Sequence, residues 1–210
     1  MNKTFWAGVF TLALILGISV FAAYRLNKPH EVLPVFGPSA DGAEAHKIAP
    51  FSLTGQLGQT VTQRDVEGKI FVADFFFTTC HGICPKMTSE MKRVYQQYKG
   101  NEQIMLLSHT VNPEYDSVPV LADYAARHGA DSKQWLFLTG DKKQIYDLAR
   151  LSYLVDASEG SGGSEDFVHT QNLALVDPDL HIRGYYDGTD SIAVNKLMKD
   201  IDILLEEFKK

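Results

Sequence analysis

An α/β sandwich on a largely parallel central sheet, behind one apolar N-terminal segment, is the fold that this sequence predicts. Three observations carry that expectation: continuous β-branched and aromatic runs of strand length, amphipathic stretches of helical period between them, and twenty uncharged residues at positions 5–24. With 210 residues, 45% apolar and 22% charged, the chain can build one sizeable core. A net charge of -6 with no dense block of Lys or Arg argues against a nucleic-acid partner.

Residues 5–24, "FWAGVFTLALILGISVFAAY", lie between Lys3 and the pair Arg25 and Lys28. As a helix they would be about 30 Å long, enough to cross a hydrocarbon core. A cleavable signal peptide competes through the small residues Val20 and Ala22, but the run exceeds the usual ~7 to 15 residue signal core. The expectation is a single-pass anchor with the remaining chain on the extracytoplasmic side, periplasmic in a bacterium. Residues 25–47, with three prolines and two glycines, read as a tether, and the folded domain is expected over 48–210.

Within that domain, Gly55 and Gly58 punctuate a short hairpin, and "IFVADFFF" at 70–77 reads as a strand covered on both faces. Met87, Met91, Val94, Tyr95 and Tyr98 then repeat at helical spacing up to Gly100. "QIMLLSHTV", "VPVLADYAARHG", "WLFLTG" and "DKKQIYDLARLSYL" continue the alternation, the last opened by Asp141 as N-cap. A Gly/Ser-rich loop at 157–166 precedes a second hairpin turning at Asp177, Pro178 and Asp179. The final helix starts at Asp190 or Ser191 and carries Leu197, Ile201 and Leu204 on one face.

The only cysteines, Cys80 and Cys84, fall in "TTCHGICPKM", where strand becomes helix, with Pro85 suited to the first helical turn. Unpaired N–H groups and the helix dipole there favour thiolate. A structural disulfide would close too short a loop to restrain the unfolded chain much. Zinc would need four ligands, with adjacent Cys80 and His81 turned toward one ion. Haem attachment is excluded by spacing. A redox dithiol and a copper site remain, the latter needing one imidazole more. Of the seven histidines, His30, His46, His128 and His181 read as solvated, and His81 as a neighbour of ligands. His109, at the carboxyl end of the second long strand, and His169, opening the late hairpin, are the rivals.

Three stretches, "FFFTTCHGICPKM", "SHTVNPEYDSVPVLADYA" and "FVHTQNLALVDPDLHIRGYYDG", in this order, resemble the SCO/SenC family of copper-binding cytochrome c oxidase assembly proteins over residues 48–208. The resemblance implies a thioredoxin-like fold, a central mixed sheet flanked by helices, and a copper site of Cys80, Cys84 and His169. It also implies a metallochaperone for Cu(I) and Cu(II), serving the copper-bearing subunit of cytochrome c oxidase. Its other expected partners are a thiol reductant or another copper carrier. Alternatively, Cys80 and Cys84 would be the catalytic pair of a thiol:disulfide oxidoreductase that keeps the acceptor's cysteines reduced. The chain departs from the family pattern at Asn112, where an Asp often precedes the proline, and at His81.

Overall fold

The computed structural model describes residues 6, 10, 12–20, 31–38, 45–155 and 170–209. They fall into two compact units, Met1–Glu31 and Val32–Lys210. In the first, Trp6, Phe10 and residues 12–20 are helical and exposed. Among the described residues no helix is long and apolar enough to cross a membrane; the rest of the anchor expected at 5–24 lies outside them.

Among the described residues of the second unit, seven strands form one mixed sheet, ordered β2-β1-β5-β4-β3-β6-β7. They are β1 (Ser52–Gly55), β2 (Thr60–Thr62), β3 (Ile70–Phe76), β4 (Ile104–Thr110), β5 (Trp135–Thr139), β6 (Asn172–Val176) and β7 (Ile182–Asp187). Only β3, β4 and β5 pair in parallel; β1, β2, β6 and β7 join antiparallel. Every residue of β3 and β4 is buried, because both faces are covered. One face carries α1 (Cys84–Gln97), α2 (Val118–His128) and α4 (Ser191–Glu207), packed on Val72, Phe76, Leu106 and Phe137. Against the other lie α3 (Lys142–Asp147) and the turn after it, on Phe71, Phe75, Leu107 and Leu138.

The N-caps read from sequence are in place: Asp141 accepts from the Gln144 N–H and Asp190 from the Ile192 N–H. The helix expected through Leu154 instead ends at Asp147 and widens into a π-helical turn, Leu148–Ser152. That wider turn buries Leu148, Ala149 and Tyr153 together. It also leaves the Ser152 carbonyl to the His46 ring, 2.7 Å away, so His46 is not merely solvated.

The expected tether also differs in its described part. Leu33 is buried, and Phe36 and Lys47 bridge to Ile182 and His181. Buried Arg183 is the clamp: it donates to the Leu33 carbonyl at 2.6 Å, the Pro34 carbonyl at 3.2 Å, and the carboxylates of Asp177 and Glu207 at 2.9 Å. A guanidinium presents five donors in a rigid fork, enough to hold several segments at once.

Candidate thiol and metal site

The site grows from the β3-to-α1 turn. β3 ends at Phe76, the Cys80 N–H closes a turn on the Phe77 carbonyl at 3.2 Å, and α1 begins at Cys84. Ile83 occupies the N-cap position and cannot cap through its side chain, while Pro85 sits in the first turn. The donors of the helix start are thereby left to the sulfurs.

Both thiols are free, Cys80 partly exposed and Cys84 buried. The two sulfurs hydrogen-bond to each other, and their acidities diverge. For Cys80, burial acts upward but is outweighed by hydrogen bonds from the Cys84 thiol and the N–H groups of Cys84, Gly82 and Ile83, so its pKa falls. The Cys84 thiol is pushed up to about 12, first by burial, then by its bond to Cys80 and by the charges of Cys80 and Asp74. The two sulfurs are therefore unequal: the partly exposed one is the more acidic, and the buried one is the one that holds its proton. That asymmetry suits both a soft metal donor and an attacking thiol.

Two buried carboxylates that the sequence reading did not single out stand behind the turn. Asp74 on β3 accepts from the Ser108 hydroxyl at 2.5 Å, and Ser108 accepts from the Trp135 indole at 3.0 Å. Burial raises Asp74 to about 7. Asp116 accepts from the Thr78 N–H at 3.1 Å and from the Thr78 and Thr110 hydroxyls. A lone Asp inside the apolar run 70–77 was the available signal for the first; an Asp among polar residues gave none for the second.

The histidines separate clearly. His81 is exposed on the loop between the thiols. His109 is fully buried with Phe75, Phe51 and Tyr153 on the sheet face opposite α1 and Cys84. Burial lowers it to about 4, and its Nε2 has no hydrogen-bond partner among the described residues. His128 lies against the Tyr124 ring and His181 beside Asp177, so neither is fully solvated. His30 and His169 lie outside the described residues. Among the described residues no group of three or more His, Cys, Asp or Glu is placed to hold a metal ion.

Strand β6 enters the sheet antiparallel to β3, with Ala174 opposite Ala73. Its first residue, Asn172, pairs with Asp187. Asp187 is held below the usual carboxylate range by the Thr189 hydroxyl and N–H, with a further contribution from the charge of Lys86, two residues after Cys84. The open end of the β6–β7 hairpin therefore lies near the start of α1.

The family model described as SCO1/SenC matches residues 39–206. An SCO1 protein homolog of Bacillus subtilis is 28% identical over 158 residues, 74% of this chain and 81% of its own length. A Stutzerimonas stutzeri protein, named as a candidate copper-binding protein, is 32% identical over 142 residues, 66% of this chain and 68% of its own. Among solved structures, BsSco, a member of the Sco family of cytochrome c oxidase assembly proteins with a disulfide switch, matches with a TM-score of 0.64 and 27% identity. That match covers 76% of this chain and 93% of BsSco. The likeness extends over the mixed sheet and its flanking helices, the thioredoxin-like fold expected from sequence.

Proposed function

The chain belongs to the SCO1/SenC family, and from that premise we propose that it is a membrane-anchored copper chaperone assisting assembly of the binuclear copper centre of cytochrome c oxidase. The observation that carries the proposal is the asymmetric thiol pair. Cys80 offers a partly exposed sulfur of lowered pKa just before a helix start, and Cys84 a second sulfur within hydrogen-bond reach. Two soft donors suit copper(I), and an imidazole added to them suits copper(II) as well. His169 is the third donor in this reading, supported by the nearness of the hairpin's open end to α1 through Asp187 and Lys86. Copper is cargo here, passed on to the oxidase subunit from a site on the extracytoplasmic side of the membrane, with residues 5–24 as the anchor.

The same asymmetry favours a second reading as a thiol:disulfide oxidoreductase. The Cys80 thiolate attacks one sulfur of an acceptor disulfide, releasing the other as a thiolate; Cys84, deprotonated in turn, attacks Cys80 and releases the second acceptor thiol. Two electrons pass to the acceptor, this chain is left with a Cys80–Cys84 disulfide, and an external thiol reductant resets it.

Metal analysis of the reduced full chain in detergent, with absorption spectra in both copper states, tests the first reading. One copper per chain with thiolate-to-copper charge transfer is expected, lost in Cys80→Ser and in Cys84→Ser while the fold is kept. A wild-type chain that binds no copper yet exchanges disulfides leaves only the second reading.

A further inference from the structure

Asp116 is completely buried and forms no ion pair among the described residues. Both of its oxygens accept hydrogen bonds: the Thr78 hydroxyl gives one to Oδ1, and the Thr78 N–H and the Thr110 hydroxyl give two to Oδ2. A carboxylate placed so is expensive to bury, and an apolar residue of similar size would fill the space at less cost. What the carboxylate does that no apolar side chain could do is hold both the backbone and the side chain of Thr78. Thr78 is the second residue of the turn that closes from the Cys80 N–H to the Phe77 carbonyl. Asp116 is itself fixed from the other side, by its own N–H to the Asn112 carbonyl at 2.9 Å and by Thr110 at the end of β4. The loop before α2 thereby grips the chain two residues ahead of Cys80.

We infer that Asp116 is a positioning residue for the thiol pair: by fixing the Phe77-to-Cys80 turn it keeps the Cys80 sulfur over the N–H groups that open α1, and so sets the pair's affinity for copper(I). The inference rests on the chaperone reading for its copper arm, but its thiol arm stands without it. If the grip is released, the turn can rotate and the sulfur leaves the N–H groups of Gly82, Ile83 and Cys84 that it now faces. The reduced, metal-binding geometry loses its preorganisation.

The test compares full-length wild type with Asp116→Asn, Thr78→Val and Thr78→Ser, all reduced. Copper(I) affinity is read by competition with a chelator of known affinity, and the thermal midpoint is read on the same samples. A partner that orients a metal ligand is worth about 10- to 100-fold in affinity. Asp116→Asn and Thr78→Val are expected to lose about tenfold, and Thr78→Ser, which keeps the hydroxyl, to stay within about twofold. In parallel each protein is equilibrated with glutathione, two glutathione thiols reducing the Cys80–Cys84 disulfide to the dithiol and forming one oxidised glutathione. Asp116→Asn and Thr78→Val are expected to shift that equilibrium toward the disulfide by up to about tenfold, ~30 mV for this two-electron couple. Unchanged affinity and unchanged thiol equilibrium in folded variants, whatever happens to the midpoint, would reduce Asp116 to a structural role and overturn the inference. Failure of the wild type to hold copper(I) would sink the chaperone reading, while the glutathione arm still decides the case of Asp116. Should Asp116→Asn not fold, Thr78→Val carries both readouts.

Discussion

Two neighbouring rungs of the sheet behave in opposite ways. Asp74 pairs in register with Ser108, and the next rung sets Phe75 beside His109. On the first, facing α1, the carboxylate, the hydroxyl and the Trp135 indole form an unbroken chain of hydrogen bonds. On the second, facing α3, the His109 Nε2 and the Tyr153 hydroxyl are buried without partners among the described residues, within an aromatic cluster. One step along a strand turns a side chain to the other face. The difference teaches that a histidine at the carboxyl edge of a sheet is a ligand candidate only on the correct face; His109 is a neutral core residue.

The strongest way to break this comparison is to remove each imidazole. His169→Ala is expected to weaken copper(II) binding tenfold or more and to shift its absorption, while Cys80 and Cys84 still form and exchange a disulfide, because copper(II) needs nitrogen or oxygen donors that copper(I) can do without. His109→Ala should leave the spectrum alone and lower stability by about 2–4 kcal/mol through the cavity it opens, read by urea unfolding. The reverse pair of results would put the ligand on the wrong face.

Titration sharpens the contrast. Asp74, raised to about 7 from 3.8, contributes stability that is fully present below its unfolded value and is lost as pH rises through 7. His109, lowered to about 4 from 6.5, contributes stability present above 6.5 and lost as pH falls through 4. Between about pH 4 and 6.5 the two slopes oppose each other, each at most about 1.4 kcal/mol per pH unit. In Asp74→Asn, stability measured at several pH values should therefore climb across that window, and in His109→Leu it should decline. Identical profiles in the two variants would contradict the assignment of the shifts.

The smallest effects separate paired from unpaired groups. Ser108→Ala removes the hydroxyl that Asp74 and the Trp135 indole share and is expected to cost about 1–3 kcal/mol. Tyr153→Phe removes a hydroxyl that has no partner among the described residues, and stability should stay level or rise, by no more than about 1 kcal/mol.

Much of this architecture was legible because its signals are local. The apolar runs of β3 and β4 announce strands buried on both faces, and Asp141 and Asp190 announce helix starts. The juxtaposition of Cys80 and Cys84 follows from four residues of chain around a helix start. What escaped depends on distant partners. Residues 32–38 carry prolines and a glycine like any linker, and what fixes them, Arg183 and the Phe36–Ile182 bridge, lies about 150 residues later. The π-helical turn answers to burial of Tyr153 and to His46, neither of which alters helical periodicity. The roles of Asp74 and Asp116 depend on which residues of other segments meet them, which spacing does not encode.

The Arg183 clamp has a consequence in time. It joins Leu33 to a residue made 150 positions later and to Glu207, 24 positions later still. At ~5–20 residues per second of synthesis, Leu33 waits roughly 8–30 s before its guanidinium partner exists. Strand β3 likewise waits for β6 while β4, its other neighbour, is soon available. Closing so long a loop carries a large entropy cost and is deferred until other contacts have shortened it. The segment made first in this unit is therefore among the last to settle, and Leu33→Ala should speed unfolding in a stopped-flow experiment while leaving the folding rate nearly unchanged.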